Sequence, residues 1–174
     1  MARPRARLSL KGRALQLLAQ RDQSRLELRG KLLRHAAAEA RVRAAEAEAG
    51  GAGSEGDAGD GGEEGDRPAE VEALLDWLEA NRFLSAERFA ESRVHAREAR
   101  FGNRRIRAEL AQHGVALAPE VARALAASEL QRAAAVRERR FQEPPKDAAE
   151  RAAQARFLAG RGFSPEVIQR VLRR

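Results

Sequence analysis

The sequence predicts an all-α protein in which three tandem three-helix repeats form an elongated, curved array. The first observation is composition, since Ala, Leu, Arg and Glu dominate outside one Gly-rich segment and β-branched runs are few. The second is the series of helix-capping and helix-ending residues along the chain. The third is a proline marker that recurs about every 46–51 residues, at Pro68, Pro119 and Pro165. Repeats of this length stack into arrays because neighbours bury each other's apolar faces.

Two segments carry the same turn motif. Residues 110–125 read LAQHGVALAPEVARAL and residues 158–172 read LAGRGFSPEVIQRVL. We expect Gly114 and Gly162 to end a helix in the left-handed conformation, and the proline that follows each to open the next helix. Ala36 stands at the corresponding position of the first repeat, so the second helix is predicted to continue past it.

Capping residues and breakers set the predicted helix limits. Ser24 and Glu27 have the spacing of a capping box, while Ser85 and Ser164 each precede a helical run. Ser128, or the residues just before it, is expected to break the stretch that follows the second proline marker. We predict nine helices, at residues 10–21, 24–48, 68–81, 85–101, 103–113, 118–127, 128–141, 147–160 and 164–173.

The chain divides into six predicted segments. They are a basic arm (1–9), two helices of repeat 1 (10–49), a linker (50–67), the third helix of repeat 1 (68–84), repeat 2 (85–127) and repeat 3 (128–174). The linker contains eight glycines and six acidic residues, so it is predicted to be flexible. As a Gly-rich coil its ends would lie roughly 20–25 Å apart. It is either a tolerated insertion or an autoinhibitory segment that folds onto a basic surface.

The apolar residues predict a modest core. Val71, Leu74, Leu75 and Leu78 form one helical stripe. Trp77 lies just off this stripe and is the best aromatic candidate for a partly exposed contact residue. Further core positions are Phe89, Ile106, Leu110, Val121, Leu125, Phe157, Leu158, Phe163, Val167, Ile168 and Val171.

Charge and composition limit the function classes. The chain has 33 basic and 26 acidic residues, which favours a polyanionic partner such as nucleic acid or an acidic protein surface. The alternative is that the arginines merely solvate helix faces. No cysteine is present and no apolar run reaches the length of a membrane span, so we expect a cytoplasmic protein without membrane contact. Nothing in the pattern requires a dimer, and a monomer is expected.

No catalytic constellation is identified. His35, His95 and His113 lack partners at metal-ligand spacing, and the glycine cluster lacks the Lys-Ser/Thr of a phosphate loop. We therefore predict no enzyme activity, no metal and no cofactor.

Arginine clusters are the best candidates for a binding surface. Arg93, Arg97 and Arg100 share a helix face, and a dense group follows across the next turn. The alternative is a solvated face with local ion pairs. The residues after the turn are Arg104, Arg105 and Arg107. A second candidate group is Arg137, Arg139, Arg140 and Arg151, and a third is Arg170, Arg173 and Arg174.

Four blocks of the sequence resemble the family of the bacterial regulatory protein RecX. They read RDQSRLELRGKLLRH, VEALLDWLEANRFLSAERFAESRV, FGNRRIRAELAQHGV and RFLAGRGFSPEVIQRVL, and the resemblance covers about residues 10–35 and 68–174. Two features depart from the family pattern: Ala36 replaces a turn glycine, and Ser85-Ala86 stands where aspartates are common.

The resemblance implies three three-helix repeats and a function. Members of this family bind the RecA recombinase filament, lie in its groove, and restrain strand exchange, ATP hydrolysis and coprotease activity, and some also bind DNA. The resemblance implies no reaction or cofactor. The alternative function is a sequence-nonspecific DNA-binding helical module, which basic helix faces would serve equally well.

Overall fold

The computed structural model describes residues 8–49 and 67–173. Within these ranges all regular secondary structure is helical, as the sequence predicts. Most of the predicted arm and nearly all of the predicted linker lie outside the described residues. The described ranges contain eight helices: α1 (Leu10–Gln20), α2 (Arg25–Ala49), α3 (Arg67–Ala80), α4 (Ala86–Glu98), α5 (Asn103–Gln112), α6 (Pro119–Arg140), α7 (Ala148–Gly160) and α8 (Pro165–Leu172).

The chain divides into two compact units, Met1–Ser85 and Ala86–Arg174. In the first unit α1, α2 and α3 pack around one apolar core. The predicted stripe of α3 faces this core, with three of its four members fully buried. The buried core residues are Ala14, Leu17, Leu28, Leu32, Val71, Leu75, Leu78 and Leu84.

The start of α2 follows the prediction. The backbone nitrogen of Glu27 donates to Ser24 Oγ at 3.1 Å, which satisfies a free donor of the first turn. The Glu27 carboxylate accepts hydrogen bonds from Arg21 and Lys31. Partial burial would raise the pKa of Glu27, but hydrogen bonds from Arg21 and Lys31 lower this pKa to about 2. Further on, α2 continues through the buried Ala36, as expected.

Ion pairs join α2 to α3. The Arg25 guanidinium lies 2.8 Å from a Glu72 oxygen, 2.7 Å from Asp76 and 2.8 Å from Glu79. Arg29 binds the same Glu72 carboxylate. These contacts raise the pKa of Arg25, through Glu72 above all, and lower the pKa of Glu72, through Arg29 and then Arg25.

The second unit contains α4 to α8 and two apolar clusters. The first cluster is formed by α4, α5 and the beginning of α6, and the second by the rest of α6 with α7 and α8. Gly114 has φ 68° and Gly162 has φ 82°, which confirms the predicted left-handed helix ends. Two of the three marker prolines, Pro119 and Pro165, are the first residues of α6 and α8, and Pro68 is the second residue of α3.

The predicted helix break near Ser128 is wrong. Helix α6 runs without interruption from Pro119 to Arg140, so the described ranges hold eight helices in place of the nine predicted. The Ser128 hydroxyl donates to the Leu125 carbonyl at 3.3 Å, within the helix, and therefore caps nothing. The neighbouring Ala, Leu, Gln and Arg residues are strong helix formers. The predicted repeat boundary at 128 stays a prediction, because α6 spans it.

Candidate partner-binding surface

Two turns of the second unit, between α4 and α5 and between α7 and α8, lie against each other through their backbones. Gly102 N donates to Arg161 O at 2.9 Å, and Arg104 N donates to Gly162 O at 3.0 Å. A Cβ atom on Gly102 would lie 2.2 Å from the Phe163 nitrogen, so only glycine allows this approach. The second copy of the repeated turn motif, which contains Gly162, therefore joins the α7–α8 turn to the α4–α5 turn.

A buried carboxylate from α6 caps the two helices that begin at these turns. Glu129, 5% exposed, accepts at Oε1 from Asn103 N at 3.0 Å and from Ser164 N at 3.3 Å. Ser164 occupies the predicted N-cap position of α8, but its hydroxyl donates to Glu129 Oε2. One negative charge therefore faces the positive ends of α5 and α8 together.

Arg132, one turn further along α6, closes the other side of the first turn. Its guanidinium donates to the carbonyls of Glu98 at 3.0 Å, Phe101 at 2.8 Å and Leu125 at 2.9 Å. Burial lowers the pKa of Arg132, and the charges of Glu129 and Glu98 act in the opposite direction. Glu129 and Arg132 together fix the positions of both turns relative to α6.

Four arginines line one cleft of about 220 Å³ on this framework. We call it the arginine cleft; its lining is Ala99, Arg100, Val136, Arg139, Arg140, Phe157 and Arg161. As the described residues form it, this lining includes no acidic side chain. The cleft lies where α4, α6 and α7 end, and backbone carbonyls at the end of a helix attract cations.

Hydrogen bonds to these carbonyls hold several guanidinium groups in place. Arg161 Nη1 donates to Arg100 O at 3.4 Å, and Arg139 Nη1 approaches Ala99 O at 3.5 Å. In the reverse direction, Arg105 Nη1 donates to Gly160 O at 3.4 Å. Each group uses part of its donor set inside the protein and keeps further N–H donors for a partner.

Aromatic rings support the same arginines. The Arg105 guanidinium lies 4.4 Å from the centre of the Phe101 ring, and Arg100 lies 5.7 Å from it. Arg161 lies 4.6 Å from the centre of the Phe157 ring. Arg140 stacks on its neighbour Phe141 in the same way, at 5.6 Å. Such contacts restrict the long side chains and thus lower the entropy lost when they bind.

The structure divides the predicted Arg93–Arg107 surface. Arg93 and Arg97 turn toward α5, where their guanidinium nitrogens lie 3.3 and 3.1 Å from Glu109 Oε1. Arg100 instead joins the arginine cleft, while Arg104 and Arg107 are exposed on α5. The alternative of local ion pairs therefore applies to the first two arginines.

The second predicted group is divided between buried and exposed positions. Arg137 is 9% exposed, so little of its side chain is accessible in this structure. It lies in the continuous helix α6, which packs against α7 and α8. Arg140 is exposed and lines the cleft.

Sequence reasoning missed Arg161, Glu129 and Arg132. Arg161 stands directly before the left-handed Gly162, at the same place in the motif as His113, and this placement at an exposed helix end was the available signal. The two α6 residues carried no signal, because they act on turns that are distant in sequence.

Trp77 lies in the first unit and is 37% exposed, in agreement with the predicted partial exposure. Its ring stacks on Phe83 with 5.6 Å between centroids, and Lys11 Nζ lies 3.5 Å from the ring centre. This cluster offers an aromatic contact surface within the first unit.

Residues 8–49 and 67–173 form neither a cluster of metal ligands nor a membrane-spanning helix. No group of three or more His, Cys, Asp or Glu side chains is arranged to hold a metal ion there. No helix in the same ranges combines the length and hydropathy needed to cross a membrane.

These features define an all-α protein in which packed turns between helices present cationic side chains. Family models match two parts of the chain: "RecX, second three-helix domain" at residues 87–118 and "RecX, third three-helix domain" at residues 127–172. The relative from Ralstonia nicotianae, named "Regulatory protein RecX", is 46% identical over 99% of this chain and 91% of its own. The relative of the same name from Leptothrix cholodnii is 44% identical, over 99% and 93%. The chain belongs to the RecX family of regulatory proteins.

A solved structure has the same fold. It is described as the crystal structure of RecX from Lactobacillus salivarius, and it aligns with a TM-score of 0.61 over 94% of this chain and 92% of that one. The two sequences are 15% identical, so the likeness concerns the fold alone.

Proposed function

We propose that this chain binds the RecA nucleoprotein filament and regulates it, mainly by inhibiting its recombinase, ATPase and coprotease activities in DNA repair and the SOS response. Membership of the RecX family supports the proposal, because regulation of RecA is the role of that family. The observation that carries it is the arginine cleft, where the described part of the chain brings four oriented cations together and contributes no acidic side chain to the lining.

Physical reasons connect the cleft to such a target. A filament of protein on DNA presents carboxylates and phosphates. Both groups offer pairs of acceptor oxygens, to which a guanidinium group donates two hydrogen bonds. Binding that is tighter to one filament state than to another shifts the equilibrium by the difference in affinity. Inhibition then requires no chemistry by the bound protein.

A comparison of binding partners tests the proposal. The labelled protein is titrated with RecA filaments on single-stranded DNA, with free RecA and with the bare DNA, across a series of salt concentrations. We expect binding to filaments to persist at salt concentrations that abolish binding to bare DNA, since a protein interface depends less steeply on salt. Equal affinity for filaments and bare DNA at every salt concentration would contradict it.

A second candidate function is sequence-nonspecific DNA binding. The observation that favours it is the exposure of Arg104 and Arg107 on α5, outside the cleft. In this case the binding constant falls steeply with salt, and substituting either arginine weakens binding to any DNA sequence alike.

A further inference from the structure

We propose that the arginine cleft receives an acidic protein segment that carries one apolar anchor side chain. The inference rests on the proposed function, because it names the component of the filament, protein and not DNA, that the cleft contacts. Three features of the second unit support it: the base of the cleft, the state of its aromatic ring, and the clefts on either side.

The base of the cleft is apolar. Val136 is 6% exposed and lines the cleft beside the partly buried Phe157. A cationic rim over an apolar base matches an apolar side chain flanked by carboxylates. The apolar side chain leaves water at the base, and the carboxylates pair with the guanidinium groups of the rim. A sugar-phosphate backbone would satisfy the rim but gain nothing from the base.

The aromatic ring of the cleft is already in use. Phe157 packs edge-on against Phe141 with 5.2 Å between centroids, and Arg161 lies over the ring. Single-stranded nucleic acid gains much of its affinity by stacking bases on free aromatic faces. These contacts leave Phe157 suited to an aliphatic neighbour.

Two further clefts adjoin the arginine cleft. One, of about 360 Å³, shares Ala99 and Arg139 with it and also contains Glu98. The other, of about 470 Å³, shares Arg140 and also contains Glu143 and Glu150, so we expect the carboxylates of the bound segment at the arginine cleft itself. The larger one is lined in part by Gln154, whose buried Oε1 has no hydrogen-bond partner among the described residues. An extended peptide brings N–H donors along this path, whereas a DNA backbone brings acceptors alone.

A peptide-binding measurement tests the inference on the full-length protein. The probe is a fluorescein-labelled peptide, Asp-Glu-Asp-Leu-Asp-Glu-Asp, and its matched control has Ser in place of Leu. A labelled oligothymidylate is the nucleic-acid probe. The variant Arg139→Ala/Arg140→Ala removes two rim charges, and the control Arg104→Ala/Arg107→Ala removes two exposed charges from α5 outside the cleft.

We expect the Leu peptide to bind more tightly than the Ser peptide. The rim variant should weaken binding of the Leu peptide about tenfold, because two ion pairs are lost, and the α5 variant should weaken it about twofold or less. Equal losses in both variants, or equal binding of the Leu and Ser peptides, would overturn the inference. So would rim-dependent binding of the oligothymidylate without binding of either peptide.

The proposed function fails on a different result. If the wild-type protein binds the Leu peptide at the rim but does not bind RecA filaments, the cleft is an acidic-peptide site and the filament assignment is wrong. If the rim variant loses filament binding while neither peptide binds, the assignment stands and the peptide inference is wrong.

Discussion

The backbone of Gly102 lies so close to that of Phe163 that a Cβ on residue 102 would be 2.2 Å from the Phe163 nitrogen. This contact fixes the α4–α5 turn to the α7–α8 turn. Arg100 enters the arginine cleft from the first turn and Arg161 from the second. The geometry of the cleft therefore depends on a glycine that is itself buried.

Replacing Gly102 with alanine should destabilise the protein. The added methyl group must displace backbone atoms, and overpacking of this kind costs about 1–3 kcal/mol. Urea unfolding measures the loss. Gly160→Ala is the matched control, since a Cβ there meets nothing within 4 Å and alanine favours the helix. Equal stability of the two variants would contradict the close contact.

Removing the Glu129 carboxylate should uncap two helices. Each lost cap costs about 1 kcal/mol, and donors left buried without an acceptor add to that, so Glu129→Ala should lower the free energy of unfolding by roughly 2–4 kcal/mol. Glu138→Ala is the control, because that side chain is 66% exposed and its contact with Arg137 is long, at 3.8 Å. If Glu129→Ala unfolds at the same urea concentration as this control, the shared cap is wrong.

Stability should depend on Glu27 in acid. The pKa of Glu27 is about 2 in the folded protein against an ordinary value of 4.5, so its ionised form stabilises the fold. This contribution is fully present above pH 4.5 and is lost as the pH falls from there toward 2. Urea midpoints at a series of pH values should fall more steeply for the wild type than for Glu27→Gln over that interval. Parallel curves would show that Arg21 and Lys31 do not hold the carboxylate.

The helices were predictable where local signals decide. Gly114 and Gly162 end helices because glycine adopts the left-handed conformation without strain. Pro119 and Pro165 then begin the helices that follow. The break predicted near Ser128 was wrong because a serine hydroxyl can donate a hydrogen bond within a helix as well as cap a helix end. The cleft was only partly predictable: Arg100 and Arg140 were candidates in separate groups, but no local pattern brings Arg161 between them.

The burial of Arg137 yields a prediction of its own. Its Nε is buried and has no hydrogen-bond partner in the described part of the chain, so Arg137→Met should leave stability unchanged or raise it. Thermal unfolding measures this effect, and filament binding should not change. A clear loss of filament binding with unchanged stability would return Arg137 to the contact surface.

Reversing charge in the cleft should strongly weaken inhibition of RecA. Arg100→Glu/Arg140→Glu places two carboxylates among the remaining arginines, where they pair internally and repel an acidic partner. We expect inhibition of RecA ATP hydrolysis to fall at least tenfold in potency with the circular dichroism spectrum unchanged. Arg104→Glu/Arg107→Glu changes the net charge equally on α5 and should retain most of the inhibition. A larger loss in the α5 variant would move the contact surface there.

Action of this protein on the RecA filament can be measured in a single titration. ATP hydrolysis by RecA on excess single-stranded DNA is measured while wild-type protein is added well below one molecule per RecA. We expect inhibition at these substoichiometric ratios, because each bound molecule affects a filament of many subunits. Hydrolysis that stays unchanged until the protein coats the DNA itself would show that the protein does not act on the filament.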